Sequence, residues 1–426
     1  MKKLITCVLV VIAAAACMIA GAADTGAFYL RPGDTVVFYG DSITEQRLYT
    51  MITELYAVTR YPGLRVTFIH SGWGGDRVTG GGGGPIDVRL QRDVFAYKPT
   101  VMTIMLGMND GSYTSHKPAD DEVFYAGYRH IVESVQQTVP NIRITAIEPS
   151  PFDDVTRPFT LQPNGYNAVL VNYGDWIRRY ASEKGLNVAD LNKPVVEMLQ
   201  KANASNPQVA QKIIPDRVHP SLSGHLIMAE QLLKAWNARP IVAAVTIDAA
   251  HGKVVQTQYA RISDFHGGGP FVWTELDEAL PLPFSELLAD DHDHTIDLAI
   301  RSSDVTEALN REPLRITGLQ PGNYKLTIDG ELAGTWSAAE LDRGVNLAVL
   351  KTPMSEQAME VRALTVRHID IHQFRWRTLQ VPLQDSDLQH LNDALKALDA
   401  VEAEVVAHQR SAAQPRPHVF QLVPAA

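Results

Sequence analysis

The chain has 426 residues, with 38 Lys and Arg against 48 Asp and Glu, a formal net charge of −10. This length predicts two domains, or one domain with a large appendage, and allows large apolar cores. The acidic balance argues against non-specific binding to nucleic acid or to an anionic membrane surface.

The first residues have the pattern of a secretory signal peptide. Lys2 and Lys3 form a positive region, Leu4 to Ala16 form an apolar core, and Ala20-Gly21-Ala22 provides a cleavage site of small residues. We therefore expect residues 1–22 to be removed and the remaining chain, with a net charge of −12, to be secreted or periplasmic. An uncleaved membrane anchor is the alternative, because the apolar stretch almost reaches spanning length.

Both cysteines of the chain lie inside this predicted signal. Cys7 and Cys17 would leave with it, so the exported chain is expected to enter an oxidising compartment without disulfides. Lipid attachment at Cys17 is a weaker alternative, because the preceding residues fit a lipoprotein signal poorly. No other stretch is long and apolar enough to predict membrane insertion.

Strand and helix patterns alternate from residue 33 to about residue 238. The predicted strands are Thr35–Tyr39, Arg65–Ile69, Val101–Leu106, Ile142–Ile147 and Leu186–Ala189, and the predicted helices are Ser42–Thr59, Asp120–Thr138, Tyr166–Glu183, Pro194–Ala202 and Ser221–Asn237. Several strands are apolar along their whole length, as in parallel sheets that are covered on both faces. Residues 24–238 are therefore predicted to form an α/β domain with a parallel sheet.

The pattern then changes to short strands separated by turn residues. The predicted strands are Ile241–Ile247, Ile296–Ile300, Leu314–Ile316, Tyr324–Ile328 and Val361–Val366. Residues 239–383 are therefore predicted to form a β-rich accessory module. The last segment, residues 384–426, is predicted to contain a helix from about Asp385 to Arg410 and a loose, Pro-rich tail from Gln414.

The pair Gly40-Asp41 separates Ser42 from the first predicted strand, and Ser42 opens the first predicted helix. The tripeptide Gly40-Asp41-Ser42 places a hydroxyl at the carboxyl end of a parallel sheet, where α/β proteins bind ligands, and at the positive end of a helix dipole. Serine is also a common helix N-cap, so this position alone does not distinguish a nucleophile from a cap.

Three further segments are expected at the same edge of the sheet. They are Gly72-Trp73-Gly74-Gly75-Asp76, Gly107-Met108-Asn109-Asp110 and Asp216-Arg217-Val218-His219. Each alone has an ordinary interpretation as a turn, but with Gly-Asp-Ser, and in this order, they resemble the four blocks of the SGNH hydrolases, also called GDSL esterases. The resemblance covers about residues 35–237 and implies a flavodoxin-like three-layer α/β/α sandwich. One departure is His70, where many members have Asn.

The resemblance implies a serine nucleophile with two partners. Ser42 is expected to attack the substrate, His219 to act as the general base, and Asp216 to orient His219. Histidine titrates near neutral pH, and a carboxylate on its second nitrogen fixes the tautomer and stabilises the imidazolium. This chemistry needs no metal and no organic cofactor.

The resemblance also implies an oxyanion hole with three donors. They are expected to be the backbone N–H groups of Ser42 and Gly75 and the side-chain amide of Asn109. Gly75 is chosen over Gly74 because it directly precedes Asp76, as in the glycine block of the family.

Other residues near these segments have weaker patterns. Trp73, Tyr113 and His116 could bind a sugar or an acyl group, although core packing or surface exposure explains each of them equally well. The run Gly80–Gly84 is either a mobile loop beside the site or a plain flexible connection. The run Asp290–His294 could suggest a metal, but adjacent residues in a polar stretch favour a solvated loop.

Together these features predict a secreted serine esterase that forms an acyl-enzyme, with a carbohydrate acetyl ester as the favoured substrate. The export signal and the additional module favour a polysaccharide or glycan ester, by analogy alone. A lipase, lysophospholipase or aryl esterase of the same family is one alternative, and a non-catalytic glycan-binding protein on an esterase scaffold is another. The expected partner is a small-molecule or polysaccharide ester, without nucleic acid or stable membrane insertion; the sequence does not specify the oligomeric state.

Overall fold

The computed structural model of the chain describes residues 26–161 and 164–425. The predicted signal peptide, residues 1–22, lies outside the described residues. Within the described ranges, no helix has both the length and the apolar character that crossing a bilayer requires.

A parallel sheet lies at the centre of the N-terminal half. The strands of this half are β1 Thr35–Gly40, β2 Thr67–Gly72, β3 Gly80–Gly81, β4 Gly84–Pro85, β5 Val101–Met105, β6 Arg143–Glu148 and β7 Asn187–Asp190. The central sheet has the order β2-β1-β5-β6-β7 with every neighbouring pair parallel. All five predicted strands are confirmed, with β2 shifted two to three residues towards the C-terminus.

Helices cover this sheet on both faces. They are α1 Ser42–Glu45, α2 Leu48–Arg60, α3 Ile86–Asp93, α4 Pro118–Thr138, α5 Asn167–Lys184, α6 Lys193–Ser205, α7 Pro207–Ala210 and α8 Leu222–Ala235. Helix α2 packs on α8 in one layer, and in the other layer α4 packs between α3 and α5. The predicted three-layer α/β/α sandwich is therefore confirmed. The single helix predicted over Ser42–Thr59 is wrong: Arg47 has a left-handed φ of 60° and separates α1 from α2.

The C-terminal half contains two further sheets. Its strands are β8 Ala244–Asp248, β9 Lys253–Gln258, β10 Ala260–His266, β11 Phe271–Asp277, β12 Pro313–Thr317, β13 Asn323–Ile328, β14 Glu331–Ser337, β15 Val345–Asn346 and β16 His418–Pro424. One sheet is antiparallel, in the order β10-β11-β16-β13-β14, and the other has the order β15-β12-β8-β9. The predicted additional β-rich region is therefore confirmed.

This half also contains more helix than the sequence predicts. Its helices are α9 Phe284–Ala289, α10 Thr295–Arg301, α11 Val305–Leu309, α12 Ala338–Arg343, α13 Pro353–Gln373, α14 Val381–Leu383 and α15 Leu391–Ala412, with a π-helical segment at Phe374–Gln380. The strand predicted at Ile296–Ile300 is wrong, because the Asp291 carboxylate accepts three backbone N–H groups at the start of α10. The strand predicted at Val361–Val366 is also wrong: it lies inside α13, which Thr352 and Ser355 begin with a capping box.

The predicted loose tail is wrong as well. Beyond Gln414 the chain forms β16, the central strand of the antiparallel sheet. His418, Phe420 and Leu422 are buried and alternate with Val419 and other outward-facing residues, which is the period of a strand. The two prolines before the strand concealed this alternation. The predicted terminal helix is confirmed as α15, which begins later than expected.

A hairpin of α13 and α15 packs across the N-terminal half, on α2 and β2. A buried polar network lies in this interface. Glu54 of α2 accepts hydrogen bonds from His368 of α13 at 2.6 Å and from Gln409 of α15 at 2.8 Å. His70 of β2 lies 3.1 Å from the second oxygen of Glu54, and Glu402 of α15 faces the other side of the His368 ring.

Candidate active site

Ser42 is the first residue of α1, directly after the turn that leaves β1. The side chain of Asp41 accepts the backbone N–H of Ile43 at 3.0 Å and is therefore the helix cap. A Cβ at Gly40 would lie 2.2 Å from the Thr44 hydroxyl, so the turn requires glycine there. Because Asp41 supplies the cap, the hydroxyl of Ser42 is available for another partner. The interpretation of Ser42 as the cap is thus wrong.

That partner is His219. Its Nε2 lies 2.8 Å from the Oγ of Ser42, and its Nδ1 lies 2.7 Å from the Oδ2 of Asp216. The other oxygen of Asp216 accepts the backbone N–H groups of Val218 and His219 at 2.9 and 2.7 Å. The carboxylate thus holds both the loop and the ring, and the ring aligns its second nitrogen with the serine hydroxyl.

The environment of Asp216 keeps it charged. Partial burial alone would raise its pKa, but hydrogen bonds from the backbone and ring of His219 and from the backbone of Val218 outweigh this and lower the pKa below its usual range. The side chains of His219 and Asp216 are 37% and 55% exposed, so this end of the site is open to solvent and to a substrate.

The glycine block lies beside Ser42. The N–H of Gly74 donates to the Oε2 of Glu45 at 2.8 Å, and a Cβ built on Gly74 would lie 3.9 Å from the Cβ of Ser42. Gly75 has a φ of +77°, a conformation that favours glycine. Since Glu45 already occupies the N–H of Gly74, the N–H of Gly75 is the better candidate to bind a substrate oxygen.

Asn109 follows β5 and is held from both ends of its amide. Its Nδ2 donates to the carbonyl oxygen of Asp76 at 3.0 Å, and its Oδ1 accepts from the hydroxyl of Tyr113 at 3.0 Å. The carbonyl oxygen of Asp76 can only accept, so it fixes the amide nitrogen of Asn109 as the end that faces it, and the Tyr113 hydroxyl holds the other end. An amide nitrogen has two hydrogens, so Nδ2 can donate to Asp76 and to a substrate oxygen at the same time.

Comparison with known proteins shows what the N-terminal half of the chain is similar to. The sequence profile of the GDSL-like Lipase/Acylhydrolase family matches residues 38–227. This segment belongs to the GDSL family of ester hydrolases. An acetylxylan esterase from Geobacillus stearothermophilus is 25% identical over 227 residues, which cover 47% of this chain and 93% of that protein.

A solved structure extends the likeness beyond the GDSL domain. It is a gut microbial diltiazem-metabolizing enzyme with 25% sequence identity and a TM-score of 0.74, and the match covers 94% of this chain and all of that chain. The combination of a GDSL domain with the C-terminal sheets and helices is therefore shared with another protein of known structure.

The three residues predicted to bind substrate all contact other side chains of the protein. Trp73 lies against the guanidinium of Arg377, whose central carbon is 3.2 Å from the ring centroid. Tyr113 orients Asn109, as described above, and is 42% exposed. His116 lies 2.6 Å from the carboxylate of Asp121. Of these, Tyr113 is linked to the site through Asn109, and Trp73 belongs to the glycine block itself.

Two residues that contact the glycine block were missed by the sequence analysis. Trp376 and Arg377 lie in the π-helical segment of the C-terminal half and contact Trp73. Arg377 also pairs with Glu45, 332 positions away in the sequence. No local motif marks these residues, because they come from a segment outside the four family blocks.

Two clusters in the described residues have a composition that suits metal ions. Glu54, His70 and His368 each offer a ligand atom within 4.8 Å of the others, but these atoms already pair with one another in the buried network. The run Asp290–His294 mainly caps α10 through Asp291, as described above. We therefore interpret both as parts of the fold.

The glycine run beside the site is folded. Gly80–Gly81 and Gly84–Pro85 pair as a short hairpin. A Cβ at Gly83 would lie 2.4 Å from the Arg89 side chain and 2.8 Å from the Trp73 ring. Close packing therefore requires glycine at this position, and the interpretation as a loose connection is wrong.

Proposed function

We propose that the protein is a serine esterase that hydrolyses carboxylic esters through an acyl-enzyme. The observation that carries this proposal is the continuous hydrogen-bonded chain from Ser42 through His219 to Asp216. Serine is a weak nucleophile at neutral pH and needs an adjacent base, which this chain supplies. Membership of the GDSL family gives independent support.

The reaction has two steps. The Oγ of Ser42 attacks the ester carbonyl while its proton moves to Nε2 of His219, and the tetrahedral oxyanion is bound by the N–H groups of Ser42 and Gly75 and the amide of Asn109. His219 then protonates the leaving alcohol, which leaves an acyl-serine. A water molecule, deprotonated by His219, attacks the acyl group, and the acid is released as Ser42 regains its proton.

We further propose an acetylated carbohydrate as the substrate and export as the location. Similarity to an acetylxylan esterase supports the substrate, and the N-terminal signal pattern supports export. Lipid and aryl esters are the competing substrates. The solved relative is described as metabolising diltiazem, so a small-molecule ester is the second candidate.

Acetate release tests this proposal. Wild-type protein is incubated with acetylated xylo-oligosaccharides, acetylated glycans, p-nitrophenyl esters of increasing chain length, a lysophospholipid and diltiazem, and the products are measured by mass spectrometry. We expect acetate from the carbohydrate esters and a preference for short acyl chains. Faster turnover of long-chain esters would reject the carbohydrate assignment, and a failure to hydrolyse any ester would favour a glycan-binding protein.

Replacing Asn109 tests the oxyanion hole. We expect Asn109→Ala to lower kcat for p-nitrophenyl acetate by about 100- to 1,000-fold, because one donor to the oxyanion is lost. The control is Asn172→Ala, which removes an amide that binds Asp121 and Tyr125 on the neighbouring helix α4. Equal kcat values for the two variants would exclude Asn109 from the oxyanion hole.

A further inference from the structure

We propose that Arg377 and Glu45 are positioning residues of the esterase site, through which the C-terminal half holds the oxyanion loop in its working geometry. This inference depends on the proposed function, since it concerns the rate of the same reaction. The oxyanion loop is defined here as Gly72–Gly75.

Glu45 connects three parts of the site. It lies on α1, one helical turn after Ser42, so its backbone is fixed relative to the nucleophile. Its Oε2 accepts the N–H of Gly74 at 2.8 Å, and its Oε1 accepts from Nη2 of Arg377 at 2.8 Å. One carboxylate therefore links the nucleophile helix, the oxyanion loop and the C-terminal half.

Arg377 holds the loop at a second point. Its guanidinium lies over the Trp73 ring, with the central carbon 3.2 Å from the ring centroid, while the backbone N–H of Trp73 donates to the carbonyl of Gly40 at 3.0 Å. The Arg377 and Glu45 side chains are only 23% and 27% exposed, so solvent weakens their attraction less than that of a fully exposed pair. Arg377 thus fixes the rotamer of Glu45 and the position of Trp73 together.

The loop needs such support because of its composition. Gly74 and Gly75 are adjacent glycines, which have more backbone freedom than any other residue. The N–H of Gly75 can stabilise the oxyanion only if its direction is set before the reaction begins. The hydrogen bond to Glu45 fixes the peptide group that carries the N–H of Gly74. The next peptide group along the chain carries the N–H of Gly75, so the direction of that donor depends on Glu45.

The segment that carries Arg377 is itself anchored. Its neighbour Trp376 is fully buried, donates from Nε1 to Asp93 at 2.6 Å and meets the Trp73 ring edge-on at 5.7 Å. Arg377 lies in a π-helical turn, a conformation that is frequent at functional sites. These contacts hold the guanidinium of Arg377 in a fixed position beside the oxyanion loop.

Kinetics of matched variants test the inference. We expect Arg377→Gln and Glu45→Gln each to lower kcat for p-nitrophenyl acetate by about 10- to 100-fold with little change in KM, because the loss is in positioning a donor for the transition state. The double variant should be no slower than the slower single variant, since both changes break one link. Arg377→Lys, which keeps the charge, should retain more activity than Arg377→Gln.

The control is Arg375→Gln in the same π-helical segment. Arg375 pairs with Asp399 of α15 at 2.7 Å and belongs to no part of the site. Its removal should leave kcat unchanged. Arg377→Ala should also regain activity when ethylguanidinium is added, whereas a merely unstable variant would not.

The outcomes separate the two proposals. If the wild type hydrolyses esters and Arg377→Gln and Glu45→Gln match Arg375→Gln in kcat, the positioning role is rejected while the esterase remains. If Arg377→Gln loses activity only in proportion to its loss of folded protein, measured by circular dichroism, the positioning role is also rejected. A wild type that hydrolyses no ester and does not react with a fluorophosphonate probe rejects the proposed function and this inference with it.

Discussion

Replacing Ser42 with alanine is expected to lower kcat/KM for p-nitrophenyl acetate by about 10⁴- to 10⁶-fold, the range typical of losing the nucleophile of a serine triad. The variant retains His219 and the oxyanion donors but has no atom that can form the acyl-enzyme. Intact-protein mass spectrometry should therefore detect an acetyl or fluorophosphonate adduct on the wild type and none on Ser42→Ala. The fold should be unaffected, because Asp41 and not Ser42 caps α1.

Ser221→Ala is the matched control for this experiment. Ser221 lies two residues after His219 and its hydroxyl contacts Ser223 at 2.7 Å, so the substitution removes a nearby hydroxyl outside the proposed machinery. We expect near wild-type kinetics and the same adduct. If Ser42→Ala kept wild-type kcat/KM, or if the adduct persisted on it, a different nucleophile would have to be sought.

The residues of the candidate site could be predicted because they are marked by local patterns. Ser42, Asn109 and His219 each lie in a short motif at the end of a strand or before a helix, and the order of parallel strands brings such ends together. The fold of the N-terminal half followed for the same reason, since its strands are continuous apolar runs. Their roles in catalysis remain predictions.

The contribution of the C-terminal half could not be predicted in the same way. Arg377 and Trp376 reach the site through tertiary packing, and neither position has a local sequence signal. The strand predicted at Val361–Val366 in this half is wrong, because the β-branched residues Val361 and Thr365 lie on the buried face of a long helix. A window as long as α13 would have favoured the helix, because its buried residues recur every three or four positions.

His70, which departs from the family pattern, has a structural role. In the sequence it is an unusual residue before the glycine block. In the structure it is 1% exposed and pairs with Glu54, which in turn binds His368, 314 positions away from Glu54. The position is thus part of the interface between the two halves.

Breaking this interface network is expected to destabilise the protein strongly. We predict that His368→Gln lowers the free energy of unfolding by about 3–5 kcal/mol near pH 6, because Glu54 would remain buried without its charged partner. Urea unfolding followed by tryptophan fluorescence measures the difference. The control is His251→Gln, which removes an exposed histidine that pairs with Asp248 on the surface and should change little.

The network also predicts a pH dependence with a defined sign. Burial alone would lower the pKa of His368, but the charge of Glu54 and the hydrogen bond to Glu402 outweigh it and raise this pKa to about 10. Burial alone would raise the pKa of Glu54, but the charge and hydrogen bond of His368 and the hydrogen bond of His70 outweigh it and lower this pKa to about 2. His372 of α13 also faces Glu402, whose pKa is lowered to about 2 in the same way.

The raised pKa of His368 stabilises the folded state fully below the unfolded pKa of about 6.5, and this stabilisation is lost as pH rises towards 10. The lowered pKa values of the two carboxylates stabilise it above about pH 4.5, and that contribution is lost as pH falls towards 2. The network therefore contributes most between about pH 4.5 and 6.5. Above pH 6.5, the advantage of wild type over His368→Gln should fall by about 1.4 kcal/mol per pH unit. Parallel pH profiles for the two proteins would contradict a charged His368. Converging profiles would show that His368 is charged in the folded state, and that its pairing with Glu54 stabilises the contact between α13 and the N-terminal half.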